Sequence, residues 1–316
     1  MTAYEVVSVV PDTPEWEGER RNSIGASEVA AVLNLSPWST PLQVFRSKMG
    51  VPNDFDEILG YVGHASEPII AGWVEQYSDQ RGVKLEPAFM ARSIRYPWLH
   101  ASFDRVSHDA FGQLVTWQFK TAHQYSGHHW DEGVPTDIRV QVQSEILVAG
   151  TDGAWVVVWI GGREFRLFWE PRDDEFITEH LIPKTKQFWD AHVLTQIAPE
   201  PSTVAEINAE YPSEAGTAIE ASETALEAAE RRAVLLSDIA AQKAEADALT
   251  LVIGQYMGTA ETLTYSGRKV LTFKTQAGRR STDLSLLTAE WPEVAAQVIK
   301  QGADFKVMRY VKEKSK

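Results

Sequence analysis

The run Ala154-Trp155-Val156-Val157-Val158-Trp159-Ile160, the pair Gly161-Gly162, and the run Glu164-Phe165-Arg166-Leu167-Phe168-Trp169 constrain this chain more than any other stretch. Clustered β-branched and aromatic residues favour an extended backbone, and a glycine pair supplies the positive φ of a tight reversal, so the three pieces predict a β-hairpin. Its tryptophans read as core, and Glu164 with Arg166 as a surface pair. Helical patterns run from about Ser27 to Leu33, from the turn Ser36-Pro37-Trp38-Ser39-Thr40-Pro41 to Lys48, from Glu67 to Gln80, from Gln141 to Ala149 and from Phe176 to His192. Between Phe89 and Thr121 lie short alternating or aromatic-rich runs broken by His108-Asp109-Ala110-Phe111-Gly112, the pattern of strand, turn, strand. This order predicts an α/β (α+β) fold, a mixed central sheet flanked by helices, and not a bundle.

The proline-containing stretch Ala198-Pro199-Glu200-Pro201 marks a linker, giving a first domain over 1–198, a linker over 199–212 and a second segment over 213–316. From about Ser213 to Tyr256 the chain is rich in Ala, Glu and Leu and free of Pro, with Ile219, Leu226, Ala233, Leu236 and Ala240 at helical spacings, which predicts one long helix or a helical hairpin. A β-hairpin follows over 261–274, then a short helix after Trp291-Pro292.

Composition excludes some chemistry. The chain has no Cys, so disulfides, thiolate zinc sites and cysteine nucleophiles are ruled out together, and a metal must be held by oxygen or imidazole. Residues 1–12 lack a basic start followed by an apolar run, and no stretch approaches about 18 apolar residues, so a soluble cytoplasmic protein with no membrane partner is expected. The net charge of −14 argues against nucleic acid only weakly, because it is uneven. Residues 1–202 carry 28 acids and 16 bases and residues 203–260 carry 10 and 3, whereas residues 261–316 carry 6 and 11. A DNA enzyme needs only a local positive groove, and its metal site requires carboxylates.

The strongest local signal for chemistry is Ser102-Phe103-Asp104 followed, after a turn, by Trp117-Gln118-Phe119-Lys120. Asp104 ends one strand, while Gln118 and Lys120 sit two apart and face one side of the next. A lysine among Val115, Trp117 and Phe119 is costly to bury without a partner or a task. A Mg²⁺ held by Asp104, the Gln118 side-chain oxygen and the Phe119 carbonyl, with Lys120 orienting or helping to deprotonate a water, supplies the task. A hairpin whose Lys120 pairs with Asp104 at the surface supplies the partner, and the two readings stay open on this fragment. In the stretch Ala122 to Pro135, Tyr125 and Trp130 are open to base stacking or to plain packing.

The order of motifs over about residues 16–190 resembles the lambda exonuclease and YqaJ-like viral recombinase family of the PD-(D/E)XK nuclease superfamily. The matching stretches are Trp16-x-x-x-Arg20-x-x-x-Ile24-Gly25-Ala26-Ser27-Glu28, Leu33-Asn34-Leu35-Ser36-Pro37-Trp38 to Lys48-Met49-Gly50, Gly63-His64-Ala65-Ser66-Glu67-Pro68, Ser102-Phe103-Asp104, Gln118-Phe119-Lys120, and Pro135 with Gln141-Val142-Gln143. The resemblance implies a PD-(D/E)XK core in which Asp104 bridges the metal, Gln118 takes the place of the usual Glu, Lys120 is the catalytic lysine, Glu67 supports the metal or its water, and Gln141 orients the site. It implies that Arg20 and Ser27, with Ser102 beside them, hold a DNA phosphate, chemically apt for a guanidinium and hydroxyls. The chain departs from the pattern at Gln118, at Phe103 and Arg105 around the aspartate, and at Ile138 where relatives carry Tyr.

The implied activity is Mg²⁺-dependent hydrolysis of DNA, with Mn²⁺ able to substitute, acting 5′ to 3′ on linear duplex ends to leave 3′ single-stranded tails for an annealing protein. A ring-shaped homo-oligomer is part of the same picture. The neutral amide at Gln118 keeps a silent DNA-end-binding protein open, and because the core motifs do not fix polarity or substrate, a structure-specific or single-strand nuclease of the same superfamily stays open too.

Overall fold

The computed structural model describes residues 3–10, 13–51, 57–278, 281–300, 302 and 306–310. The bases Arg279, Arg280, Lys312, Lys314 and Lys316 of the basic last segment lie outside the described residues. The chain falls into two compact units, Met1–Ile207 and Asn208–Lys316. Among the described residues no helix is long and apolar enough to cross a membrane.

In the first unit the elements run β1 (Tyr4–Val7), α1 (Pro14–Arg21), β2 (Ile24–Gly25), α2 (Ala26–Val32), α3 (Pro41–Lys48), α4 (Glu57–Tyr77), β3 (Phe89–Ser93), β4 (Leu99–Phe103), β5 (Arg105–His108), β6 (Leu114–Ala122), α5 (Thr136–Ala149), β7 (Gly153–Ile160) and β8 (Glu164–Pro171). A helical stretch follows, α6 (Asp174–Phe176) and α7 (Ile182–Phe188), with π-helical turns at Ile177–Leu181 and Trp189–Val193, and then α8 (Val204–Glu210). The fold is mixed α/β, as the pattern predicts, but its strands form two four-stranded sheets, ordered β1-β3-β4-β2 and β5-β6-β7-β8. The division falls at Asp104, a bend between β4 and β5. There the carboxylate, in place of a backbone carbonyl, takes the Phe119 N–H at 2.7 Å.

Strand β6 pairs parallel with β7, Gln118 beside Val156 and Lys120 beside Val158. Parallel neighbours need a crossover, and α5 provides it after a 3₁₀ turn at Gln124–Trp130. The alternation of β7 sorts its two faces. Val156, Val158 and Ile160 pack with Val142 and Ile146 of α5, whereas Val157 packs with Trp117, Phe119 and Ile70 and Val74 of α4. Helix α5 is buried from Val142 through Ala149, because its other side meets a cluster that holds Val29, Leu99, Ala101 and Ile177. It ends where Gly150 adopts φ 72°, with the Gly150 N–H bonded to the Ile146 carbonyl. The β7–β8 hairpin turns through Gly161 and Gly162, both at positive φ, as its glycine pair predicts. Glu206 accepts from the Thr40 hydroxyl and from the Ser202 N–H, so the packing of this unit continues past the Pro199–Pro201 stretch.

The second unit contains α9 (Glu223–Met257), the hairpin β9 (Thr262–Tyr265) and β10 (Arg268–Thr272), α10 (Leu284–Glu290) and α11 (Pro292–Val298). The long helix starts later than the composition suggests. Ser222 caps it, accepting from the Ala225 N–H, and Ile219 stands 95% exposed before it, outside any helix. Alanine-rich propensity carries only as far back as a residue that can satisfy the first free N–H groups. The hairpin reverses through Ser266 at φ 48° and Gly267 at φ 76°.

Candidate active site

Asp104, Gln118 and Lys120 come together, as their spacing predicts, and Gln141 joins them. Period-two alternation puts Gln118 and Lys120 on the α5 face of β6, and Gln141 meets them from the second turn of α5. Asp104 Oδ2 accepts from Gln118 Nε2 at 2.7 Å as well as from the Phe119 N–H. Gln118 Oε1 accepts from Gln141 Nε2 at 3.0 Å, and Gln141 Oε1 accepts from Lys120 Nζ at 3.0 Å. Lys120 is thus tied to Asp104 through two amides and not by a surface ion pair.

Glu67 enters from α4. Its carboxylate accepts from Arg105 Nη1 at 3.1 Å and sits 2.9 Å from His64 Nδ1, while the same Arg105 nitrogen also bonds the Asp104 carbonyl. Arg105, a departure from the family pattern, thereby ties the Glu67 side chain to the Asp104 backbone.

Part of Asp104 reaches solvent, yet protein atoms crowd its carboxyl. Burial pushes that carboxyl up to about 6, against the pull of the Lys120 charge and the Phe119 N–H, with Glu67 adding to the rise and Arg105 opposing it. A second acid shares the network. Glu145, one turn beyond Gln141 on α5, accepts from Gln141 Nε2 at 2.8 Å and is 1% exposed. Burial first, and the Asp104 charge next, push it up to about 8, opposed by the Gln141 amide and the Lys120 charge. The motifs do not point to Glu145. Its one signal is a charged residue amid Val142, Ile146, Leu147 and Val148 of a core helix.

Both carboxyls sit above their ordinary values, so folding favours their neutral forms. The stability that depends on those forms is complete below about pH 4 and is lost as pH rises through 6 and then 8. Glu145→Gln removes the later loss. It is expected to be more stable than the wild type at alkaline pH by on the order of a few kcal/mol, with little difference at about pH 4. Urea unfolding across that range measures it, and a gap that stays constant with pH contradicts the assignment.

The donor set suits a hard divalent cation. It offers the Asp104 carboxylate, the Glu67 carboxylate, the Phe119 carbonyl and the Gln118 oxygen, all of them oxygen donors. Glu145 Oε2 is buried without a hydrogen-bond partner. Among the described residues no three His, Asp or Glu side chains gather closely enough to hold an ion by themselves, so the amide and the carbonyl matter. Gln118 has its nitrogen, not its oxygen, toward Asp104. It must turn over to serve as a ligand.

The second group of predicted residues is less tightly gathered. Arg20, in the last turn of α1, lies over the Trp16 ring at 4.6 Å, Ser27 is exposed in the first turn of α2, and Ser102 is exposed on β4. Among the described residues no hydrogen bond joins the three. Between them lies a buried cluster that the motifs do not single out. Lys48 Nζ donates to the Arg20 carbonyl at 2.7 Å and to Glu28 Oε2 at 2.5 Å, and Ser23 Oγ is 2.9 Å from His100 Nδ1. Burial, helped by the charges of Lys48, Arg20 and Arg92, drives His100 well below its ordinary value, so it is neutral at pH 7. Burial lowers Lys48 as well, in spite of the Glu28 carboxylate. Of the two aromatic residues in the loop after β6, Trp130 is core, packed on Phe168, while Tyr125 is exposed. Trp169, expected in the core, is 43% exposed on β8, the edge strand of its sheet.

Residues 15–152 match the family of the YqaJ-like viral recombinase domain. A protein of Bacillus subtilis (strain 168), YqaJ, is 33% identical over 190 residues, which make up 58% of this chain and 58% of that protein. The chain therefore spans little more than half the length of this relative. Among solved structures, the alkaline exonuclease LHK-Exo of Laribacter hongkongensis is 17% identical and superposes with a TM-score of 0.48, covering 58% of this chain and 94% of that one. A phage related exonuclease from Haemophilus somnus 129PT is 11% identical with a TM-score of 0.43, covering 55% and 96%.

Proposed function

We infer, from the match of residues 15–152 to the YqaJ-like viral recombinase domain, that the first unit hydrolyses the phosphodiester bonds of DNA from an end. The observation that carries this reading is the part-buried chain Asp104–Gln118–Gln141–Lys120, which spans a bend between two sheets and places an acid with a raised pKa and a lysine in one network. Asp104, the Gln118 oxygen and the Phe119 carbonyl would hold Mg²⁺, or Mn²⁺ as a substitute, with Glu67 in support. When bound the cation supplies charge neutralisation at the scissile phosphate and makes an attacking water more acidic.

The chain's own groups do the rest. Lys120, held by Gln141, orients the water and stabilises charge as its oxygen bonds to phosphorus. The bond from phosphorus to the 3′ oxygen breaks, and a 5′ phosphate remains on the shortened strand. Arg20, Ser27 and Ser102 receive that phosphate, so each product presents the end needed for the next cut. Digestion runs 5′ to 3′ on linear duplex and leaves a 3′ tail for an annealing protein, and a homo-oligomer around the duplex keeps the enzyme in place. The setting is the cytoplasm.

One observation favours a second reading, a silent DNA-end-binding protein. The amide nitrogen of Gln118 occupies the Asp104 oxygen that an ion would use. Digestion of linear duplex labelled separately at each 5′ and 3′ terminus, with and without a 5′ phosphate, in Mg²⁺ and in EDTA, distinguishes the two. Metal-dependent loss of 5′ label, faster on phosphorylated ends, is expected of the wild type. A carboxylate at 118 faces Asp104 and strengthens the need for a cation, so Gln118→Glu is expected to reach half-maximal rate at a severalfold lower Mg²⁺ concentration. A wild type that binds ends but cuts nothing in any metal, beside a Gln118→Glu variant that cuts, establishes the silent form instead.

A further inference from the structure

Lys48, the last residue of α3, is a buried lysine to which the proposed chemistry gives no task, and its side chain is 1% exposed. An amine so placed is costly unless it has acceptors, and an apolar side chain of similar length would pack there without that cost. Its two acceptors belong to two other helices. One is the Arg20 carbonyl, at 2.7 Å, in the last turn of α1, where carbonyls have no partner within their own helix. The other is Glu28 Oε2, and the same oxygen accepts the Gly25 N–H at 2.7 Å at the start of α2.

We propose, resting on the reading of Arg20, Ser27 and Ser102 as the groups that receive a DNA phosphate, that Lys48 is a positioning residue that holds Arg20 at the right distance from the two serines. The serines are placed without it. Gly25, two residues before Ser27, pairs with His100 of β4, and Ser23 Oγ is 2.9 Å from His100 Nδ1. Ser102 lies two residues beyond His100 and faces the same side of β4. Helix α1, by contrast, buries no residue of its own, so apolar packing does not fix its end. Glu19 ties α1 to Arg92 of β3, and Lys48 ties its last turn to the start of α2. Both bonds of Lys48 need only hydrogens on the amine, two of which remain even without a charge, so the tie does not depend on ionisation. Lys48 therefore acts on the phosphate through the backbone of Arg20 while leaving the guanidinium free to bind.

Binding tests this apart from cleavage. The full chain is titrated in EDTA with a short duplex whose 5′ ends carry either a phosphate or a hydroxyl. The wild type is expected to bind the phosphorylated duplex about tenfold more tightly, roughly the worth of one charge-assisted contact. Lys48→Met is expected to bring that preference to within about twofold, with affinity for the hydroxyl duplex within about twofold of wild type. Arg20→Ala is expected to abolish the preference, and adding Lys48→Met to it to cost nothing further, because the residue it works through is gone. If circular dichroism shows Lys48→Met unfolded, Lys48→Gln, which keeps a donor on a shorter arm, takes its place with the same expected loss. A folded Lys48 variant that keeps the preference, or that loses affinity for both duplexes alike, overturns the proposal and leaves the phosphate reading standing. A wild type without the preference, or an Arg20→Ala variant that keeps it, removes the phosphate reading and the role of Lys48 together.

Discussion

Asp104→Asn is expected to abolish DNA cleavage, by at least about a thousandfold, while leaving DNA binding and the fold in place. The asparagine oxygen can still accept the Phe119 N–H that bends the chain between β4 and β5. Its amide nitrogen, however, supplies neither negative charge for a cation nor an acceptor for a water proton. The loss therefore belongs in kcat and not in binding. Stability need not suffer, because the carboxylate is held against a desolvation penalty that an amide escapes. Single-turnover cleavage with saturating enzyme, a binding isotherm on the same duplex and a melting temperature measure the three parts. Retained cleavage removes Asp104 from the centre, and a melting temperature lowered by tens of degrees moves its role to the fold.

Lys120→Met carries the second large effect, a loss of roughly a hundredfold to ten-thousandfold in the cleavage step. Methionine keeps the apolar stem and removes only the ammonium, so the change tests charge and donor capacity and not packing. Lys120→Arg is not expected to rescue, since a planar fork cannot take the place of a compact ammonium 3.0 Å from a single amide oxygen. If instead Lys120→Met lowers affinity for DNA and leaves the rate of the bound complex unchanged, Lys120 is a phosphate contact. Together the two variants separate an acid that needs a cation from a base that needs only Gln141.

Most of the site is legible in the sequence because it lies on one strand. Two-residue alternation places Gln118 and Lys120 together, and a turn brings Asp104 against them. The β7–β8 hairpin is legible for the same reason, since its signal is local. Elsewhere the deciding contact joins distant residues and leaves no periodic trace. Arg105 reads as an altered turn until Glu67, 38 positions away, is seen to be its partner. Glu145 hides because helical spacing marks it only as one turn from Gln141, and nothing local says that the surrounding side is core. The bend that splits the predicted single sheet follows from one side chain displacing one ladder bond. The start of α9 is set by the Ser222 cap, which a composition window over 213–256 averages away.

A buried acid near a reacting centre lowers stability and is retained for a task, and Asp104 fits that pattern. The first unit as a whole is acidic, and of the three residues proposed to receive a phosphate only Arg20 is charged, so affinity for DNA is expected to depend shallowly on salt.

The central claim is that this chain destroys DNA from its ends with a cation at Asp104. The most direct measurement incubates one duplex, as a linear molecule and as a covalently closed circle, with the wild-type chain in Mg²⁺ and in EDTA. Complete digestion of the linear form with the circle intact, and no digestion of either in EDTA, is the predicted result. A circle cut as fast as the linear form, or digestion that persists in EDTA, contradicts the account.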